Sequence, residues 1–335
     1  MRILATGGAG YVGSAVVREL LSRGHDAFVY DNLSKGHRRS IPADRLIEGD
    51  LADRDLLVHT LLAHRIEAVM HFAAFIAVGE SVEKPDIYYR NNIANSLTLL
   101  EAMMEVSVKK MLFSSTAAVY APIAHGALTE DSPKYPASPY AVSKYTIERM
   151  IGDFSVAYGL GYTILRYFNA CGAGADGKYG EAHEPETHLI PLVLQVPLGQ
   201  REFIGVFGND YDTTDGTCIR DYVHVDDLAD AHIKAIDAVT DSAGSIYNIG
   251  TGTGNSVLEV IRVAGEVVGQ NIPMKFLDRR QGDTARLVAG SERLRRELGW
   301  TPKYENIHEI ITTAWQWHKT HPYGYEDKQS VPLEA

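Results

Sequence analysis

Cysteine is almost missing: Cys171 and Cys218 are the only two in 335 residues and lie far apart. That excludes a disulfide framework and fits a reduced, cytoplasmic protein. Long apolar runs are missing too. The longest, Ala68 to Val78, contains His71 and is too short to span a bilayer. Met1-Arg2-Ile3-Leu4 runs straight into a glycine turn, without the basic, apolar and cleavage regions of a signal peptide, so none is expected. Positive charge is scarce, 32 Lys and Arg against 43 Asp and Glu, for a net charge of -11. Nucleic acid and anionic membrane, both polyanions, are therefore excluded as main partners, although a local cationic pocket is not. Nor do His, Cys and acidic residues show the spacing of known zinc or calcium sites, so no metal is expected.

What is present is alternation. Strand-like runs at Arg2 to Thr6, Ala27 to Tyr30, Arg45 to Ile47, Ala68 to Phe72, Lys110 to Ser114 and Tyr162 to Tyr167 are separated by amphipathic stretches. Those stretches predict helices near Val12 to Arg23, Asp53 to His64, Tyr88 to Val106 and Pro139 to Tyr158. The class is α/β, a doubly wound parallel sheet of Rossmann type, with a smaller C-terminal α/β substrate lobe. We expect a first domain over 1–170, a substrate lobe over 171–325 from which a strand or helix can return to the first domain, and a frayed tail over 326–335. In the lobe, strands are expected at Glu202 to Val206, Ile246 to Ile249 and Met274 to Leu277. Its helices are expected near Asp226 to Val239, Ser256 to Val268, Ser291 to Leu298 and Asn306 to His318, with Asp226-Asp227 as a cap.

Gly7, Gly10 and Gly13 fall between the first strand and first helix, where a chain must turn tightly and let a pyrophosphate reach backbone N–H groups. Their spacing is G-x-x-G-x-x-G, not the common G-x-G-x-x-G. Asp31 closes the second strand. A carboxylate there accepts from an adenosine ribose and repels a 2′-phosphate, which favours NAD over NADP. Asp50-Leu51, after the third strand, suits an adenine edge, with a helix cap ahead of Asp53 as the alternative for Asp50.

The segment Ser114-Ser115-Thr116 ends a strand, and Tyr140-Ala141-Val142-Ser143-Lys144 follows on a helix. Tyr140 and Lys144 are four apart and share a face. Beside a bound nicotinamide, the Lys144 ammonium and the positive ring would pull the Tyr140 hydroxyl below its usual value of about 10, making it a base. His71 reads as a packed strand-end residue.

Together with Arg2 to Ser14, Asp31-Asn32-Leu33, His71-Phe72-Ala73-Ala74, Val78 to Ser81 and Arg166-Tyr167-Phe168-Asn169, these residues resemble the extended short-chain dehydrogenase/reductase family. Later matching pieces are Phe207 to Tyr211, Asp215 to Thr217, Arg220 to Val225, Tyr247-Asn248, Asn255 to Val257 and Arg279 to Asp283. The resemblance spans Met1 to about Tyr325. It implies Tyr140 as acid/base, Lys144 as its partner and ribose anchor, and Thr116 as the hydroxyl on a sugar O4. Gly7, Gly10, Tyr11, Val12, Asp31, Asn32, Asp50, Leu51, Phe72, Ala73, Ala74, Asn91, Ser114 and Phe168, with Tyr140 and Lys144, would hold NAD.

For the substrate, the resemblance implies a UDP-sugar. Arg220 and Arg280 would take the diphosphate, their guanidinium forks suiting phosphate oxygens, unless they pair with Asp221 or Asp283. Asn169, His188, Leu189, Phe207, Val257 and Asp283 would contact the same ligand. Four positions depart from the family pattern: Ile76 for a lysine, His188 for an asparagine, Ala121 for a glycine, and Leu287, which leaves acceptance of an N-acetyl group open. The implied reaction is NAD-dependent C4 epimerisation of UDP-galactose and UDP-glucose through a 4-keto sugar, in a homodimer joined by the helices near 88–106 and 139–158. Preference for UDP-N-acetylglucosamine or a UDP-pentose stays open. A 4,6-dehydratase needs a proton carrier where Ala117-Ala118 stand, and a non-catalytic NAD sensor would not need Tyr140, Lys144 and Thr116 together.

Overall fold

The computed structural model describes residues 1–123, 125–280 and 283–325, so the expected tail and Gln281-Gly282 of the quoted run lie outside the described residues. It opens with β1 (Arg2–Thr6), whose Ile3, Leu4 and Ala5 are fully buried because helices cover both faces of the sheet. The glycine turn leads into α1 (Tyr11–Ser22), then β2 (Asp26–Asp31), β3 (Leu46–Glu48), α2 (Arg54–Ala63) and β4 (Ala68–His71). The third strand starts one residue later than expected, because Ala43–Arg45 coil into a 3-10 turn. Asp53 caps α2, accepting from the Leu56 N–H at 3.0 Å.

After α3 (Val78–Glu83) and α4 (Pro85–Tyr88), the chain widens into a π-helical turn over Tyr89–Ala94 before α5 (Asn95–Glu105). The single helix expected from Tyr88 to Val106 is thus interrupted. At the wide turn the buried Asn92 side chain accepts from Phe75 N–H (2.9 Å) and donates to the Phe75 carbonyl (3.1 Å) and the Ser143 hydroxyl (3.0 Å). β5 (Lys110–Thr116), α6 (Pro139–Tyr158) and β6 (Gly161–Tyr167) complete the first half. The ends of α6 follow local rules: Ser138 caps it, Pro139 opens it, and Gly159 closes it at φ 74°.

The second half holds β7 (Asn169–Cys171), α7 (Leu189–Gln195), β8 (Ile204–Phe207), β9 (Ile219–His224), α8 (Val225–Asp237), β10 (Gly244–Ile249) and β11 (Gly254–Ser256). Then come α9 (Val257–Val268), β12 (Met274–Leu277), β13 (Arg286–Leu287), α10 (Glu292–Leu298) and α11 (Ile307–Thr320). The main sheet is seven-stranded and parallel, in the order β10-β6-β5-β4-β1-β2-β3. Its last strand is thus supplied from the second half of the chain. One apolar core lies on the α1 and α8 side, another against α2, α5 and α6.

Two local readings are corrected. The strand β9 was not expected, because Ile-Arg-Asp-Tyr-Val-His carries no simple apolar pattern. Its buried polar groups are matched instead: Asp221 accepts from Thr251 N–H (2.9 Å), Gly252 N–H (2.9 Å) and Ala289 N–H (3.1 Å). The cap of α8 is His224, which accepts from Asp226 N–H at 3.1 Å, and Asp226-Asp227 fall inside the first turn. Asp227 meanwhile accepts from Lys303 N–H (2.7 Å) and Tyr304 N–H (2.9 Å).

Candidate active site

The strand order reverses between β1 and β4, the place where open parallel sheets bind ligands beyond their carboxyl ends. Gly7 sits there at φ 71°, and a Cβ on it would lie 2.4 Å from Ala73 N. A Cβ on Gly13 would lie 2.5 Å from the Gly7 carbonyl oxygen. Only glycine fits this close crossing. Gly10 precedes α1 without a side-chain cap, so the first-turn N–H groups of Tyr11 and Val12 present the positive helix end. Tyr11 turns its hydroxyl away to donate to the Gly172 carbonyl at 2.6 Å.

Asp31 is buried and accepts from Ala9 N–H (3.0 Å) and Leu33 N–H (2.8 Å). Burial raises its pKa while these two bonds oppose the rise. Each carboxylate oxygen keeps a second lone pair for a ribose hydroxyl. Asn32 donates to Asp50 Oδ2 at 2.7 Å, and Asp50 Oδ1 accepts from Ala52 N–H at 2.8 Å, so Asp50 closes a turn and the cap role falls to Asp53. Leu51 is buried beside them. Phe72 and Ala73 both donate N–H bonds to the Thr6 carbonyl, which carries half-buried Phe72, Ala73 and Ala74 across the glycine turn. Asn91 lies in the π-helical turn, donating to Asn92 at 3.0 Å. This cradle fits a dinucleotide.

Thr116 ends β5, and its hydroxyl oxygen accepts from Ala118 N–H at 3.1 Å, which leaves the O–H free to point elsewhere. The same hydroxyl acts on Tyr140 across the site. Lys144, almost fully buried, donates to the Ser114 carbonyl at 2.8 Å and stands 4.8 Å from the centre of the Phe113 ring. In the protein alone, burial pushes the Tyr140 hydroxyl up to about 12, with only Thr116 lowering it; the expected fall belongs to the state with nicotinamide bound. Burial also pulls Lys144 down to about 7, against the opposing charge of Glu148. The protein's own groups therefore favour the neutral form of Tyr140.

Sequence reasoning missed the support beneath this trio. Arg166 makes two bonds to Glu148, at 2.9 and 2.5 Å, and a third at 2.9 Å to the Tyr120 hydroxyl, while Ser115 donates to Glu148 at 2.5 Å. The network joins β5, β6 and α6 under the site. Tyr167 also lies close to Tyr140 and Ser114. His71 is a core residue, bonded to Thr6 and Ser96 at 2.7 Å each. Phe168 and Leu287 share an apolar cluster with Ala117 and Tyr120, so Leu287 stands near the Thr116 end. Ile76 is exposed, and Ala121 N–H bonds the Pro133 carbonyl at 2.8 Å.

The candidate substrate residues form two groups. Asn169, His188 and Leu189 line one crevice with Glu181 and Tyr222. Arg220, two residues before Tyr222 on β9, donates to the Thr284 carbonyl at 2.8 Å and reaches Asp283 only at 3.4 Å. The Arg280 guanidinium lies 3.7 Å from the centre of the Phe207 ring. Val257 opens α9, its N–H bonding the Cys218 carbonyl at 3.1 Å.

Among the described residues the structure also gathers a group that spacing rules did not reveal. Glu181, His183, Glu186 and His188 bring four ligand-type atoms within 4.8 Å of one another. The alternation E-x-H-x-x-E-x-H was the available signal, but no regular element predicts that it converges.

A model of the NAD dependent epimerase/dehydratase family matches residues 3–250. A UDP-glucose 4-epimerase of Halalkalibacterium halodurans is 48% identical over 334 residues, covering 98% of this chain and all of that one. A crystal structure of a UDP-glucose 4-epimerase superposes with a TM-score of 0.93 at 47% identity, over 97% of this chain and all of that one. The Bifidobacterium longum enzyme, solved with NAD+ and UDP, gives a TM-score of 0.92 at 36% identity, with the same coverage. The chain belongs to the NAD dependent epimerase/dehydratase family.

Proposed function

We propose that the protein is an NAD-dependent isomerase that interconverts UDP-galactose and UDP-glucose at C4. The observation that carries this is the Thr116 hydroxyl facing Tyr140, one helical turn from Lys144, beside a glycine cradle at the switch point of the sheet. Two relatives that match over the full length are UDP-glucose 4-epimerases.

Gly7, Gly10, Tyr11 and Val12 would take the pyrophosphate, Asp31 and Asn32 the adenosine ribose, and Asp50 and Leu51 the adenine edge. Phe72, Ala73, Ala74, Asn91, Ser114 and Phe168 would line the remainder, with Lys144 on the second ribose. Bound NAD supplies a hydride acceptor that then serves as hydride donor, so that C4 can pass through a ketone and be reduced on its opposite face. Thr116 holds O4 and Tyr140 exchanges its proton. A hydroxyl held at about 12 is set up to give a proton; accepting one near neutral pH calls for added positive charge at the site. Arg220 and Arg280 clamp the diphosphate, with Asn169, His188, Leu189, Phe207, Val257 and Asp283 around the nucleotide. Firm grip on UDP and loose grip on the sugar let the ketone turn over.

A homodimer through the helices around 88–106 and 139–158 is supported by the exposed apolar side chains Tyr89, Leu97, Val156 and Tyr158 on them. The free buried thiols Cys171 and Cys218 support a cytoplasmic setting. The test is to incubate the purified protein with UDP-galactose, adding no cofactor, and follow the anomeric protons by NMR. Growth of UDP-glucose signals is expected. No conversion, even after NAD is added, would overturn the assignment.

A further inference from the structure

The geometry points to a four-coordinate zinc-class divalent metal site built from Glu181, His183, Glu186 and His188. It does not depend on Tyr140 or on the sugar, but it takes His188 from the residues placed around the nucleotide above.

His188 Nδ1 lies 2.5 Å from Glu181 Oε1 and 3.5 Å from Glu186 Oε1. His183 Nδ1 lies 3.2 Å from Glu181 Oε1 and 3.7 Å from Glu186 Oε2. Zinc bonds of about 2.0–2.1 Å to nitrogen and oxygen require tetrahedral edges of roughly 3.3 Å, close to most of these separations. Side-chain rotation would have to open the 2.5 Å pair and draw in the widest ones, which lie within 4.8 Å. One atom singles the cluster out: His183 Nδ1 is buried and within ion-pair reach of both carboxylates, yet its angles to them fall short of a well-aligned hydrogen bond. A buried polar atom aimed at two carboxylates without such a partner is what a shared cation would satisfy.

The Glu186 carboxylate and the backbone of the ligand-bearing loop are also held in place. Glu186 Oε1 accepts from Thr187 N–H (2.7 Å) and His188 N–H (2.9 Å), which leaves Oε2 facing His183. Trp317 Nε1 donates to the Glu181 carbonyl at 3.1 Å, His37 bonds the Ala182 carbonyl at 2.7 Å, and Lys35 donates to the Glu184 carbonyl at 2.8 Å. Imidazole with carboxylate suits zinc, and two carboxylates neutralise a dication in a half-buried place. His188, assigned to the nucleotide by resemblance, would then be a metal ligand that pins the start of α7.

The experiment uses untagged, full-length protein stripped with EDTA, desalted, loaded with zinc chloride and desalted again. Atomic emission should find one zinc per chain. His183→Asn and Glu186→Gln, each checked by circular dichroism for an unchanged fold, should weaken zinc binding at least about tenfold, the drop that loss of even a supporting partner produces. X-ray absorption of the loaded wild-type protein needs no variant and should show four N/O neighbours including two imidazoles. No retained zinc, zinc retained equally by both folded variants, or an absorption spectrum without two imidazoles would overturn the site and leave an ordinary hydrogen-bonded cluster.

Discussion

The Lys144 ammonium donates to the Ser114 carbonyl at 2.8 Å, tying the middle of α6 to the end of β5. Together with the bonds to Glu148, this bond holds α6 so that Tyr140, one turn earlier, meets Thr116, two residues later.

Replacing Tyr140 by Phe removes the proton carrier while keeping the ring. Turnover of UDP-galactose should fall by roughly 10²–10⁴-fold, the usual share of general acid–base catalysis. UDP affinity, read by calorimetry, should stay within about twofold, since the nucleotide contacts lie elsewhere. Near-normal turnover would remove Tyr140 from the chemistry.

Arg220→Ala and Arg280→Ala should each weaken UDP binding about tenfold or more, because a charge-assisted bond contributes about 1.5–3 kcal/mol. The expected signature is a raised KM with little change in kcat. If UDP affinity is unmoved for Arg220→Ala, its contacts with the Thr284 carbonyl and Asp283 are its whole role.

Glu148 and Arg166 are 3% and 2% exposed, so breaking their pair leaves a charge stranded in the core. Glu148→Gln should cost roughly 3–5 kcal/mol. The check is the urea midpoint of unfolding. Replacing both residues by Met should cost less than the single change, and an unshifted midpoint in Glu148→Gln would mean the network does not support the site.

Burial lowers His71 to about 3, with Lys144 adding to the fall, and lowers His232 to about 4 against its bond to the Leu228 carbonyl. Unfolded histidine titrates near 6.5, so these depressed groups contribute stability that is present above about pH 6.5. It is lost as pH drops toward their folded values, because the unfolded chain binds protons first. The melting temperature should fall between about pH 7 and pH 5, while the NMR signals of these two imidazoles stay in the neutral form. Titration of either signal near 6.5 would contradict the burial.

Short-range features were legible along the chain. β1 and α6 have the bounds expected, because the apolar run of β1 needs two covered faces and Ser138, Pro139 and Gly159 punctuate α6; β12 has the bounds expected too, although its side chains are exposed. Gly7 and Gly13 were legible as a tight strand-to-helix turn, and Asp31 by its place at the end of the second strand, although the close approach of Gly7 to Ala73 was not. The π-helical turn at Tyr89–Ala94 was not, since its cause is a bond from Asn92 to Phe75 and Ser143, remote in sequence.

The sequence by itself determined the parallel sheet, the glycine cradle and the placing of Tyr140 and Lys144 on one helix face, because hydrophobic period, turn chemistry and i,i+4 spacing are local properties. Tertiary structure decided that β10 returns to lie beside β6, that the polar β9 is a buried strand, and that Thr116 faces Tyr140. It also decided the protonation balance: burial, a property only the folded chain has, raises the Tyr140 hydroxyl against the bond from Thr116.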